Sequence, residues 1–244
     1  MLPPTRRLYW EDDHCFRTEA RILAIDQNRI ACDQTCFYAG GGGQPADTGT
    51  LTIAGLPPLA VLSVEVDSSG VIWHQVADLQ DASHVGMPVL LALDESRRVT
   101  LARYHTVLHV VNTIALRDYD AWITGAQIGV EYSRIDFKIE RFSPEVVLDL
   151  ERKVNAVLAA NHTLRAFYLS ELEFALRPDL LRTLEVKPPV MNGRVRVVAI
   201  EGFDEQACGG THVHSTGELG RIVIFKTENK GKINKRLYVR LETD

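Results

Sequence analysis

The sequence predicts an α+β protein in which a small antiparallel β-barrel precedes a domain of helices packed on an antiparallel sheet. Two observations predict this class. Between Arg6 and about Leu91, short apolar stretches alternate with clusters of Gly, Pro, Asn and Asp, which is typical of small barrels and sandwiches. From Asp94 onward, helical patterns alternate with short strands. We therefore expect one domain over residues 1–92 and a second over 93–244.

The elements of both domains follow from local patterns. In the first domain, apolar stretches predict strands over 21–25, 29–32 and 61–66. The second domain opens with a helix, because Asp94 suits an N-cap, Glu95 suits the positive end of the helix dipole, and apolar residues then recur on one face as far as about Tyr119. The later predictions are two short strands within 125–140, helices over 143–160 and 170–178, and strands over 194–200, 221–227 and 236–242.

The composition is that of a soluble globular chain. Hydrophobic residues make up 45% and charged residues 24%. No apolar run approaches the roughly 20 residues that span a bilayer, and no apolar segment follows the basic pair near the N-terminus, so we expect a cytoplasmic protein without a secretory signal or a membrane partner. The net charge of -5 argues against coating of DNA through bulk charge, but it permits local contact with one RNA end.

A chain of this length does not need disulfides to hold its fold. Cys32 and Cys36 have a spacing that can bind metal, but no second pair completes such a site. We expect free thiols at Cys15, Cys32 and Cys36.

Two residue pairs with the same spacing indicate a metal site. His105 and His109 are four residues apart in the predicted helix, so both imidazoles project from one face. Cys208 and His212 are also four apart, in a turn whose two glycines let the backbone bend tightly. Three nitrogens and one sulfur suit zinc, and not magnesium or calcium. Either pair alone is a weak signal, and the Glu of the zinc-protease motif is absent.

Longer strings around these pairs are specific. Arg103-Tyr-His-Thr-Val-Leu-His109 and Cys208-Gly-Gly-Thr-His-Val213 resemble the two metal signatures of the editing domain shared by alanyl- and threonyl-tRNA synthetases. The strings that resemble the alanyl branch are Phe37-Tyr38, Gly42-Gly-Gln-Pro45, Asp47-Thr-Gly49, Arg134-Ile-Asp-Phe137, Val195-Arg-Val-Val198, Thr216-Gly-Glu-Leu-Gly220 and Gly231-Lys-Ile-Asn-Lys-Arg236. The chain has no room for a class II aminoacylation domain. It therefore resembles the longer form of the AlaX family, the free-standing alanyl-tRNA editing proteins, departing from it at Ala39-Gly40, where the family often has Pro.

The resemblance implies a hydrolase that cleaves the ester joining serine, with glycine as a second candidate, to the terminal adenosine of alanine tRNA. It implies one zinc ion per chain, held by His105, His109, Cys208 and His212 as the catalytic residues. The ion would either activate water or anchor the substrate, and the sequence leaves both roles open. The acceptor end of alanine tRNA is the expected partner.

Further residues are candidates for substrate contact. Gln127 matches a glutamine near the site in the family, with an exposed turn residue as the alternative. The Gly-rich loop supplies Gly42, Gly43, Gln44 and Thr48. This loop would contact the substrate or seal the site, and a plain β-turn is its alternative. Thr106 and Thr211 neighbour metal ligands and would either hydrogen-bond to them or pack. His74, His84, His162 and His214 show no partner pattern, and we expect ordinary surface or core residues.

After the second metal motif the chain becomes basic. The cationic residues of this stretch are Arg221, Lys226, Lys230, Lys232, Lys235, Arg236 and Arg240. We expect a phosphate-binding loop around Gly231 that includes Lys232 and Arg236, with a solvated basic face as the alternative. The Arg97-Arg98 pair would add to that surface.

Two other functions fit parts of the pattern. A threonyl-type editor would share the metal signatures, although the Gly42–Pro45 motif and the upstream barrel favour the alanyl branch. A non-catalytic tRNA-binding module would keep the ion as a purely structural element.

Overall fold

The computed structural model describes residues 1–77, 79, 82–139, 143–182, 188, 190–191, 193–231 and 233–242. Within it the chain forms two compact units. The first contains Met1–Gly41 and Pro45–Thr100, and the second contains Gly42–Gln44 and Leu101–Asp244.

A closed antiparallel barrel forms the first unit and confirms the predicted N-terminal β-barrel. Its strands follow the order β2-β3-β7-β6-β5-β8, and β8 pairs back onto β2 with Arg17 opposite Ala92. Alternate side chains such as Ile22, Leu51 and Leu91 are fully buried, as the period of two in a β-strand requires. The strands of this unit are β1 Arg6–Arg7, β2 Arg17–Asp26, β3 Arg29–Cys32, β4 Gln34–Thr35, β5 Gly49–Ile53, β6 Leu59–Val66, β7 Ile72–Val76 and β8 Pro88–Leu93.

Arg98 is buried in the first unit, so the prediction that it adds to a basic surface is wrong. Its guanidinium forms an ion pair with Asp47 and also donates to the carbonyl oxygens of Cys36 at 2.7 Å and Asp13 at 3.0 Å. A buried charge needs such a set of partners, because an unpaired one would cost several kcal/mol. The same Asp47 accepts a hydrogen bond from the Tyr38 backbone at 2.7 Å. Tyr38 precedes the Gly-rich loop and Asp47 follows it, so this bond ties together the two flanks of the loop, which both belong to the first unit.

The remaining sequence predictions for the first unit concern isolated side chains. Cys15, Cys32 and Cys36 are free thiols, as expected. Burial raises the pKa of Cys32 and of Cys36 to about 12, so both thiols stay protonated near neutral pH. His74 is a core residue: its ring nitrogens lie 2.8 Å from Thr35 Oγ1 and 3.1 Å from the Ile30 carbonyl oxygen.

The second unit packs helices on one face of an antiparallel sheet, in agreement with the predicted α+β class. This sheet has the order β15-β16-β10-β9, and a second sheet joins β11, β13, β12 and β14. Buried residues of β10 and β16, such as Phe137 and Val239, share one core with Leu108 of α1 and Val154 of α2. The elements are α1 Glu95–Tyr119, which begins in the first unit, β9 Trp122–Gln127, β10 Ser133–Lys138, α2 Pro144–Ala159, β11 Leu164–Ser170, α3 Glu171–Ala175, β12 Val190–Met191, β13 Arg194–Ile200, β14 Asp204–Ala207, β15 Ile222–Asn229 and β16 Asn234–Leu241.

The helix starts are where the capping residues predict them. Asp94 Oδ1 accepts a hydrogen bond from the Arg97 backbone at 3.0 Å, and Ser143 Oγ accepts one from Val146 at 3.4 Å. Strands β11 and β14 were not predicted. Most residues of β11 are exposed or half-buried, so its sequence lacks the apolar alternation of a half-buried strand. None of the described helices has the length and hydrophobicity that crossing a membrane requires.

The buried His74 predicts acid sensitivity. Burial lowers the pKa of His74 from 6.5 to about 4. The unfolded chain therefore binds a proton at this residue as the pH falls below 6.5, whereas the folded chain does not, and stability present above pH 6.5 is lost towards pH 4. We expect His74→Gln to remove about 2 kcal/mol of the stability loss between pH 7.5 and pH 5, measured by urea unfolding. Equal losses in wild type and variant would contradict a neutral buried imidazole.

Candidate metal centre

Four potential metal ligands converge in the second unit. Helix α1 places His105 and His109 one turn apart on one face, with ring centroids 5.0 Å from each other. Strand β14 ends at Ala207, so Cys208 begins the turn that carries His212 back to the helix. Cys208 Sγ lies 3.5 Å from His105 Nε2 and 3.4 Å from His212 Nε2. One ligand atom from each of the four residues lies within 4.8 Å of the other three, so this group can hold a metal ion.

Gly210 makes the approach of the turn to the helix possible. A Cβ atom at this position would lie 2.2 Å from His105 Cε1 and 2.9 Å from Gln44 Oε1. No side chain fits at those distances, so any other residue would push the turn away from His105. This explains why the motif has glycine between its two ligands.

The three imidazoles are neutral at physiological pH. Burial lowers the pKa of His109 to about 3 and lowers the pKa values of His105 and His212 well below 6.5. The cation of Arg196 lowers all three further. Neutral imidazole is the form that binds a metal, so these ligands need not lose a proton first.

Gln44 sets the tautomer of His105. Its Oε1 accepts a hydrogen bond from the Thr211 backbone N–H at 3.1 Å, and a backbone N–H can only donate, so this atom is the oxygen. His105 Nδ1, 2.8 Å from the same oxygen, must therefore carry its proton and donate. The lone pair of His105 is then on Nε2, the nitrogen that lies 3.5 Å from Cys208 Sγ.

Thr106 sets the tautomer of His212 in the same way. Thr106 Oγ1 donates its proton to the Ala102 carbonyl at 2.9 Å, so it accepts from His212 Nδ1 at 3.0 Å. The Nε2 lone pair of His212 therefore lies on the Cys208 side. Thr211 is fully buried and its Oγ1 accepts from Gln44 Nε2 at 2.8 Å. Thr106 therefore hydrogen-bonds to a predicted ligand, whereas Thr211 bonds to Gln44, which in turn contacts His105.

Arg196 of strand β13 hydrogen-bonds to the turn, a role that the sequence did not predict. Its Nη1 donates to the carbonyl oxygens of Gly210 at 2.8 Å and Cys208 at 3.3 Å, and the residue is 1% exposed. The signal that could have revealed it is an arginine among consecutive buried apolar residues of β13. A charge in such a strand requires internal acceptors, which the turn supplies.

The four other residues predicted to contact the substrate each have a different environment in the structure. Gly43 lies beside the end of β9, and its carbonyl accepts from the backbone N–H of the following residue, Ile128, at 2.8 Å. Gln127 is exposed, and its Oε1 accepts from Arg134 Nε at 2.7 Å. Gly42 is exposed with a φ of 58°, a backbone conformation that favours glycine. The carbonyl of Thr48 accepts from Asp94 at 2.7 Å in the first unit.

Of the two residues predicted to contact phosphate, the structure describes Arg236 but not Lys232. Arg236 forms a two-point ion pair with Asp136, at 2.6 and 2.7 Å. Its side chain is 14% exposed, so this guanidinium is largely engaged inside the sheet. Lys232 lies outside the described residues.

Comparison with known proteins places the chain in a family. Residues 195–238 match the threonyl and alanyl tRNA synthetase second additional domain, and residues 13–97 match the class II (A) tRNA synthetases. The chain is 34% identical to an alanyl-tRNA editing protein AlaX-M of Saccharolobus solfataricus over 234 residues, which are 96% of this chain and 98% of that protein. It is 34% identical to the AlaX-M protein of Methanosarcina mazei over 97% of this chain and 96% of that protein.

A longer enzyme shares the same region. The chain is 36% identical to an alanine–tRNA ligase of Korarchaeum cryptofilum over 227 residues, which are 92% of this chain but 25% of the ligase. The AlaX-M proteins, by contrast, match over 98% and 96% of their own length, and Cys208 and His212 lie in the region that matches the second additional domain. The chain belongs to the AlaX-M family of alanyl-tRNA editing proteins.

Proposed function

We propose that this chain is an editing hydrolase that cleaves the ester joining serine to the terminal adenosine of alanine tRNA, with glycine as a second substrate. The observation that carries the proposal is the convergence of His105, His109, Cys208 and His212, whose ligand atoms lie within 4.8 Å of one another. The names of the full-length relatives, alanyl-tRNA editing proteins, support the reaction class.

The donor set fits zinc. Bond lengths of about 2.3 Å to sulfur and 2.0–2.1 Å to nitrogen, in a tetrahedron, separate the two donors by roughly 3.6 Å. Cys208 Sγ lies 3.5 and 3.4 Å from the two imidazole nitrogens, close to that separation. Three neutral nitrogens and one sulfur also exclude magnesium and calcium, which prefer oxygen ligands.

When bound, the ion supplies a fixed positive charge and a Lewis acid at the centre of this group. The residues around it keep the ligands oriented: Gln44 and Thr106 hold the protons of His105 and His212 on the outer ring nitrogens. Four protein donors fill a tetrahedral set, which favours anchoring of the substrate over activation of a water molecule.

Selection against alanine requires polar groups that recognise the serine hydroxyl, because a site that hydrogen-bonds this group discriminates far better than an apolar pocket. We propose Gln127, Gly42, Gly43 and Thr48 for substrate contact. The segment that carries Gly43 runs beside Ala126, next to the exposed amide of Gln127. Gln44 has both its amide atoms engaged with His105 and Thr211, which supports a positioning role for it.

A second candidate function is a tRNA-binding module with a structural zinc ion. The same closed donor set favours it, because structural sites use four protein ligands and catalytic sites keep one position open. Release of the amino acid distinguishes the two functions, since a structural module would bind tRNA without deacylating it.

Replacing His109 by Ala is expected to abolish both metal binding and deacylation of Ser-tRNA(Ala), since one of four donors is lost. The measurements are the metal content after purification under reducing conditions and the release of serine, with and without a chelator. His162→Ala is the matched control, because this histidine contacts the Glu201 carbonyl outside the ligand group. Full activity of the His109 variant without metal would refute the zinc-dependent reaction.

Removing the Gln44 side chain is expected to weaken metal binding 10- to 100-fold, the usual effect of losing a partner that orients a ligand. Gln44→Ala loses the acceptor for His105 Nδ1, whereas Gln44→Glu keeps an oxygen at that position. Titration with Co²⁺, followed by its thiolate absorption band, measures the affinity. An alanine variant as tight as wild type would show that His105 needs no such partner.

We propose that Lys232 and Lys235 contact phosphates of the acceptor end, whereas Arg236 is held by its two-point ion pair with Asp136. Reversing Lys232 and Lys235 to Glu is expected to weaken tRNA binding and to reduce the slope of log Kd against log salt concentration. The matched control reverses Arg152 and Arg165, which have side chains 70% and 60% exposed on other elements and give the same change in net charge. Equal effects of the two double variants would reduce the role of this stretch to bulk charge.

A further inference from the structure

Three aromatic rings form an exposed cluster on the second unit. Tyr132, Phe225 and Tyr238 have ring centroids 5.9 to 6.0 Å apart in all three pairs. Tyr132 is 45% exposed and Phe225 is 41% exposed. The rings line a cleft of about 270 Å³ together with Glu131, Lys226 and Arg240, and no aliphatic side chain lines it among the described residues.

A β-bulge creates this cluster. Ile224 pairs with Val239 and Lys226 pairs with Tyr238, so Phe225 is an extra residue in β15. Phe225 and Lys226 are therefore both exposed, although they are neighbours in a strand. Exposing two large rings forgoes the free energy of burying them, so the chain gives up stability to keep this surface open.

Cations flank the rings. Lys226 Nζ lies 4.8 Å from the centroid of Tyr238, and Arg240 Cζ lies 5.2 Å from that of Phe225. Lys226 is paired with Glu228, whereas Arg240 forms no ion pair with any acid that the structure describes. Cations beside clustered aromatic rings, on a chain of net charge -5, form a surface complementary to RNA, which offers both aromatic bases and phosphates.

A row of side chains extends from this cluster across the sheet. Lys226 is opposite Tyr238, Tyr238 is opposite Arg134, and Arg134 is opposite Gln127. The row ends beside Ala126, whose carbonyl oxygen would lie 2.6 Å from a Cβ atom built on Gly43. A single-stranded RNA that follows this row would run from the aromatic rings towards the segment that carries Gln44.

We propose that Tyr132, Phe225 and Tyr238 stack unpaired nucleobases of the single-stranded 3′ end of tRNA, while Lys226 and Arg240 contact its phosphates. The identity of the RNA rests on the proposed function, but the stacking does not. Four-stranded sheets with exposed aromatic residues bind single-stranded RNA through the same physical interaction.

The test compares three replacements of one ring. Binding of uncharged alanine tRNA is measured by fluorescence anisotropy for Phe225→Ala, Phe225→Leu and Phe225→Tyr. Loss of one stacked base weakens binding about tenfold, so Ala and Leu should show this loss and Tyr should not. Leu172→Ala removes another exposed apolar side chain, 82% exposed, and should bind as wild type. With tRNA that lacks its single-stranded 3′ end, all five proteins should bind alike.

Salt dependence separates the rings from the cations. Phe225→Ala should keep the wild-type slope of log Kd against log salt concentration, whereas Lys226→Ala and Arg240→Ala should each reduce it by about one. In deacylation assays Phe225→Ala should raise KM and leave kcat unchanged.

Three results would overturn the inference. They are wild-type affinity in Phe225→Leu, a Phe225→Ala defect that persists on the truncated tRNA, and self-association of the wild type that this substitution abolishes. The last result would assign the surface to a second copy of the chain. Failure of the wild type to deacylate Ser-tRNA(Ala) would refute the proposed function alone, because the binding experiments use uncharged tRNA.

Discussion

The close approach of the Cys208–His212 turn to helix α1 is the constraint on which the centre depends. Gly210 permits it, because the position of its missing Cβ lies 2.2 Å from His105. Arg196 holds the turn through two of its carbonyl oxygens. The three imidazole ligands also have to be neutral, and burial achieves this without a base by lowering their pKa values. The close packing of the turn therefore sets the positions of the ligands, and their burial sets the protonation state of the imidazoles.

The sequence predicts the parts of this structure that depend on local spacing. The four-residue intervals and the caps at Asp94 and Ser143 are recovered because helix geometry links neighbours along the chain. Two features could not be predicted in the same way. Gln44 lies 61 residues from His105, and Arg196 lies 14 residues from Gly210. Their roles depend on tertiary contacts that no periodicity encodes, although a charge inside the apolar strand β13 was a visible anomaly.

The number of basic residues in a stretch does not predict a cationic surface, because tertiary contacts decide which of them are exposed. Arg98, Arg196 and Arg236 all have internal acceptors or a carboxylate partner, so none of them is a free surface cation. Lys226 and Arg240 lie over the rings of Tyr238 and Phe225 instead. Whether an arginine binds a phosphate or a buried carbonyl depends on the face of its strand, and a one-residue bulge in β15 is enough to change which side chains face outward.

The sheet of the second unit separates the potential metal ligands from the side chains proposed to contact RNA. Residues of β10 and β16 that face inward, such as Ile135 and Leu237, pack in one core with Leu108 of α1 and so support the helix that carries His105 and His109. Their neighbours Arg134 and Tyr238 belong to the outward row. Because side chains alternate along a strand, changes in the outward row leave the inner packing intact. Substitutions in the outward row can therefore alter the surface proposed to bind RNA while the positions of the four potential ligands are preserved.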